Sequence, residues 1–129
     1  MKFVLAAHSS SSRAVRRQNV DLEVLARAVP GCRSVTPVEG GGVRLVVDVA
    51  VASVRGLWAG TLTETGPGAW RIVGSGEPGR VDLVVHVDAD AGTVTIEGTV
   101  EGPLAAIGST LLAAAVRRLV DDTLARTER

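Results

Sequence analysis

The stretch that most constrains how this chain can fold is its last long apolar pattern, residues 103–126. Wound at 100° per residue, Leu104, Gly108, Leu111, Leu112, Ala115, Val116 and Leu119 fall on one side of a helix, and Ser109, Thr110, Arg117 and Asp121 fall opposite. About 23 helical residues rising 1.5 Å each make a rod of roughly 34 Å, about the width of a small domain. Nothing between Cys32 and Gly102 repeats that period. The middle reads instead as strands, and a sheet with one apolar face has to be covered by something. One long helix laid on one sheet is the arrangement these patterns predict. Gly108 and Ala115 sit near the centre line of the stripe, so either a strand passes very close there or a space is left open.

Taken in order, residues 2–7 are a short β-type run and residues 9–12 a serine-rich turn. Arg13, Arg16 and Arg17 have few apolar neighbours, so residues 9–19 are expected to be weakly attached, or to act as a lid over an opening. Asp21 is placed to cap a helix whose Leu22, Leu25, Ala26 and Val29 share a face and which Pro30-Gly31 stops. Residues 32–38 read as a strand. Val43, Leu45, Val47, Val49 and Val51 then alternate with Arg44, Val46, Asp48 and Ala50, the mark of a strand with one strictly apolar face. Residues 57–64 and 69–74 read as two more strands. In residues 80–88 Val81, Leu83, Val85 and Val87 alternate with Arg80, Asp82, His86 and Asp88. In residues 93–100 Val94, Ile96 and Val100 oppose Thr93, Thr95, Glu97 and Thr99. Short turns join successive strands, which implies an antiparallel meander. The class is α+β, in one domain over residues 1–129 with an atypical segment at 1–20. The phase predicts Val47, Val49, Leu83 and Val85 facing the helix, and Arg44, Asp48 and His86 facing solvent.

Composition narrows the functions available. The 14 Lys and Arg residues balance 14 Asp and Glu, and they are scattered, which argues against a nucleic-acid surface. Phe3, Trp58 and Trp70 are the only aromatic residues, so a stacking platform for single strands is missing too. The core must be filled by Val, Leu, Ile and Ala, whose smaller side chains leave voids more easily. A single cysteine, Cys32, rules out an internal disulfide, fits a reducing cytoplasm, and reads as a small buried hydrophobe. No apolar run approaches the roughly 20 residues that span a bilayer, and residues 3–7 are too few for a signal peptide.

The chemical motifs read mostly as structure. Gly74-Ser75-Gly76-Glu77-Pro78-Gly79 spells G-x-G-x-x-G, but a strand follows it, where phosphate binding requires a helix N-terminus. It reads as a hairpin turn. His8 and His86 have no cluster of metal-ligating neighbours, and Asp48, Asp82, Asp88 and Glu97 project from outward strand positions. Neither a catalytic residue nor a metal or cofactor site is expected. Arg118 and Asp122, four apart near the end of the helical stripe, read either as a helix end in water or as one mouth of a cavity.

Three segments resemble the G-subunit family of carbon monoxide dehydrogenase. They are Leu25-Ala26-Arg27-Ala28-Val29-Pro30-Gly31-Cys32, Val54-Arg55-Gly56-Leu57-Trp58-Ala59-Gly60, and Gly102-Pro103-Leu104-Ala105-Ala106-Ile107-Gly108-Ser109, in the family's order and spacing over residues 21–124. The resemblance implies the START-like (SRPBCC) helix-grip fold, a curved antiparallel sheet wrapped around one long C-terminal helix with an apolar ligand cavity between them. It further implies a non-catalytic accessory that binds a quinone- or lipid-like molecule and serves a molybdenum-containing dehydrogenase, in the cytoplasm or peripherally at the inner face of the membrane. Two departures stand out: the polar segment before Asp21 replaces the family's amphipathic first helix, and the sequence here stops at Arg129, short of the tail of some relatives. On this reading Val47, Val49, Leu83, Val85, Ile96, Gly108, Leu111 and Ala115 line the pocket, and Arg118 and Asp122 stand at its mouth. The alternatives are a helix-grip enzyme of cyclase, dehydratase or hydrolase type, and an assembly factor with a filled cavity that acts by binding protein.

Overall fold

The computed structural model describes residues 1–8, 22–88 and 90–127. Expectations for residues 9–19 and for Asp21 as a cap lie outside the described residues. Seven strands form one sheet: β1 (Lys2–His8), β2 (Cys32–Val38), β3 (Gly42–Val51), β4 (Val54–Gly66), β5 (Ala69–Gly76), β6 (Gly79–Asp88) and β7 (Thr93–Glu101). Their order is β1-β7-β6-β5-β4-β3-β2, with every pairing antiparallel. Strands β2 to β7 are the predicted meander, and β1 closes onto the last of them. The G-x-G-x-x-G segment is a hairpin: Gly76 pairs with Gly79 across Glu77-Pro78.

The alternation places the core on one face. Val43, Leu45 and Val47 of β3, Leu83 of β6, and Val94, Ile96 and Val100 of β7 are all buried, while Arg44, Asp48 and His86 are exposed. Cys32 opens the edge strand β2 half-buried, with its thiol 3.7 Å from the Ser34 carbonyl, because an edge strand has a neighbour on one side only.

The main departure is in the C-terminal helix. It is not continuous but forms α2 (Pro103–Ala106) and α3 (Ser109–Thr127), after the short α1 (Leu22–Arg27) near the start. Gly108 breaks it, at φ +93°. That is the left-handed conformation in which glycine commonly ends a helix. A Cβ there would meet nothing within 4 Å, so Gly108 is an exposed joint with no strand crowding it. Beyond the joint the buried stripe runs through Leu112, Ala115, Val116, Val120, Thr123 and Leu124. Its centre is rotated by about 60° from the one a continuous helix would present.

Candidate ligand-binding site

Between the sheet and α3 lies a cavity of about 240 Å³. Strands β3 to β7 supply most of its wall, α1 contributes Leu25 and Val29 just beyond its end, and α2 contributes Leu104. Helix α3 forms the opposite side with Leu112, Ala115, Val116, Leu119, Val120 and Thr123 among others.

Six of the eight expected wall residues are there: Val47, Val49, Leu83, Val85, Ile96 and Ala115. The other two are corrected. Gly108 is the exposed joint, and Leu111 is 57% exposed on the outer side of α3. Arg118 and Asp122 are corrected too, since neither lines the cavity. Arg118 Nε lies 4.0 Å from Asp122 Oδ2, with the Arg118 side chain 87% exposed. One cause covers Leu111, Arg118 and Asp122. The rotation at Gly108 turns all three away from the sheet and brings Val120, Thr123 and Leu124 in.

The sequence reading also missed Trp58 and Trp70. Both are 5% exposed and both line the cavity. Alternation carries the signal: Trp58, Gly60 and Leu62 share a phase on β4, as do Trp70, Ile72 and Gly74 on β5. Gly60 pairs with Gly74, and the Trp58 ring lies on that bare patch of backbone. A Cβ on Gly60 would come within 2.8 Å of Trp58 Cζ2 and 2.6 Å of the Val73 carbonyl oxygen. The paired glycines are therefore what let the indole lie flat against the sheet. Leu25 and Val29 belong to the helix face already legible in the sequence.

Polar atoms on this wall are few. Thr123 is 7% exposed, and its hydroxyl donates to the Leu119 carbonyl at 2.7 Å. Trp58 Nε1 and Trp70 Nε1 are buried without any hydrogen-bond partner. A buried donor left unmet costs roughly 1–3 kcal/mol. No titratable side chain among the described residues lines the cavity, and they hold no His, Cys, Asp and Glu cluster able to bind a metal. The charged groups lie elsewhere. Arg71 of β5 donates to both carboxylate oxygens of Asp82 on β6, at 3.1 and 2.8 Å. That hydrogen bond holds the Asp82 carboxyl below its ordinary range against the opposing effect of burial, with the guanidinium charge adding a lesser pull in the same direction as the bond.

A curved antiparallel sheet gripping a long C-terminal helix over an apolar cavity is the helix-grip fold. The same fold is found in a conserved protein of Geobacillus kaustophilus, with TM-score 0.68, 19% identity, and coverage of 98% of this chain and 91% of that one. A Thermus thermophilus protein aligns with TM-score 0.68 at 17% identity, over 99% of this chain and 97% of the other. The Zhui aromatase/cyclase from Streptomyces sp. R1128 aligns with TM-score 0.51 at 16% identity, over 100% and 93%. At these identities the likeness is one of fold. No family model matches the chain and no curated protein matches it. The resemblance to the carbon monoxide dehydrogenase family therefore rests on its three segments, and that family name gains no support. Among the described residues, no helix is long and apolar enough to cross a membrane.

Proposed function

We propose that this chain is a non-catalytic carrier of a hydrophobic small molecule held between sheet and helix. The observation that carries the reading is the cavity of about 240 Å³ with its almost entirely aliphatic and aromatic wall. An apolar cavity of about 150 Å³ stays dry and takes up benzene, so a space of this size suits two fused rings or a short bent chain. Binding there is driven by area, at about 25 cal/mol per Å² removed from water.

A chemical step would need a group able to move a proton or attack a carbon; the wall hydroxyl of Thr123 is held by the Leu119 carbonyl with no base beside it on the wall, and no described wall residue is titratable. That supports a carrier over a cyclase or hydrolase. An assembly factor with a filled interior is disfavoured by the open volume. The finer reading, a quinone bound in service of a molybdenum-containing dehydrogenase, has the three-segment family resemblance as its support. Mass spectrometry of the organic extract of the purified protein tests the carrier. The expected result is one apolar compound near one mole per mole of protein. A clean extract, together with failure to bind any small apolar probe, would sink the reading.

A further inference from the structure

Resting on the carrier reading, we infer that Trp58 and Trp70 are the cavity's recognition groups. Their indole N–H groups donate hydrogen bonds to acceptor oxygens of the bound molecule. The ligand is then an uncharged, largely hydrocarbon compound that bears carbonyl or ether oxygen.

Four observations lead there. Both rings form part of the wall, and both Nε1 atoms are buried with no acceptor in the protein. The wall's remaining polar hydrogen, on Thr123, is already committed to the Leu119 carbonyl. No described wall residue carries a charge, so an ionised ligand would enter without a counter-ion, at prohibitive cost. A pure hydrocarbon, for its part, would leave both indole donors unmet. Of the aromatic residues, Phe3, with no donor, is buried without lining the cavity, while both tryptophans line it. A ring needed only to fill space could have been Phe in all three places.

The two donors are separate features of one wall. Trp70 pairs with Glu64, six residues along β4 from Trp58. At about 3.3 Å per residue their backbones stand roughly 20 Å apart, and the Trp58 ring leans back over Gly60 and Gly74 toward the other. A ligand of the size this cavity holds, about two fused rings, meets one indole or the other. Neither nitrogen is open to the cavity beforehand, so each ring has to tilt on its side-chain bonds for its N–H to reach a seated ligand.

Indane and 1-indanone form a suitable probe pair, alike in shape and differing by one CH₂ replaced with C=O. The chain has two tryptophans, so an amide-type proton–nitrogen NMR spectrum shows two indole signals. With 1-indanone at least one should move downfield as a new hydrogen bond forms, and indane should leave both near their original positions. The ketone-to-hydrocarbon affinity ratio should then fall about three- to tenfold in Trp58→Phe or Trp70→Phe, whichever indole moved. The spectrum is read on the unaltered protein, so an unstable variant does not blunt the test. If both compounds bind with the same indole spectra, acceptor recognition is overturned and the carrier reading stands. If neither binds, by spectrum or by thermal shift, both readings are overturned together.

Discussion

The interior has two sides, built from different elements, and both contribute to the cavity wall. On the β1, β7 and β6 side, Phe3, Leu5, Val94, Ile96 and Val100 pack with Leu104, Leu112 and Leu124 of the C-terminal helices. On the β3, β4 and β5 side, Val43, Leu45, Val47 and Leu62 pack with Trp58, Trp70 and the short helix α1. Geometry demands the division. Seven strands about 4.8 Å apart make a sheet roughly 30 Å across, whereas a helix with its side chains is about 10 Å wide. One helix therefore covers part of the sheet, a second element has to cover the rest, and the cavity lies along the seam between them. Curvature narrows that gap without closing it, because the chain has few bulky side chains to spend there.

The comparison can be broken most severely on the β1 side. Phe3 is 3% exposed among residues that pack against the helix, and its ring is not part of the cavity wall. Phe3→Ala should cost about 3–5 kcal/mol, since both the transfer energy and a new void count against it. Chemical denaturation of the two proteins measures this directly. A loss under about 1 kcal/mol, well short of that range, would mean that the interior around Phe3 is loosely filled.

The converse substitution tests the cavity between the two sides. Ala115 faces the cavity from α3, so the ring of Ala115→Phe should enter open space. Stability should change by less than about 1 kcal/mol, against roughly 1–3 kcal/mol where a packed core is overfilled. Uptake of a fluorescent apolar probe should be lost. Thermal unfolding run beside probe binding reads both quantities. A destabilised variant would place a strand against Ala115, and a stable one that still takes the probe would move the binding space elsewhere.

How much of this was legible in the sequence follows from what each feature depends on. Strand phase depends on alternation, which is local, so Val47, Val49, Leu83, Val85 and Ile96 could be assigned to the inner face from the pattern of β3, β6 and β7. Helix phase depends on every residue between the reference point and the target. One left-handed glycine was enough to turn Leu111, Arg118 and Asp122 outward, and nothing in the apolar spacing marks Gly108 as a joint rather than a close approach. The helix-grip arrangement came from family resemblance, whereas the residues themselves indicated a sheet and a covering helix. Trp58 and Trp70 stayed hidden because Gly60 and Gly74 interrupt the inner faces of β4 and β5, which weakens their alternation. Their unmet N–H groups are a property of packing, and no sequence pattern encodes a missing partner.

The smallest expected effect belongs to the outer face, where Arg71 and Asp82 pair across β5 and β6 with their side chains 52% and 38% exposed. The Arg71 hydrogen bond lowers the Asp82 pKa in the folded chain. An unfolded chain therefore binds this proton first as pH falls. The pair's contribution is complete above the ordinary carboxylate range and is lost as pH drops through that range toward the lower folded value. Exposure and salt keep it small, since both ions remain hydrated. Asp82→Asn should flatten the dependence of melting temperature on pH between neutral and acid at low salt, and the two curves should meet at the acid end. Raising the salt should shrink the difference at neutral pH. Probe uptake should be unchanged throughout, because the pair sits on the face of the sheet turned away from the cavity. If the substitution altered uptake, the two faces would be coupled through the strands, and treating the apolar wall as an independent site would have to be abandoned.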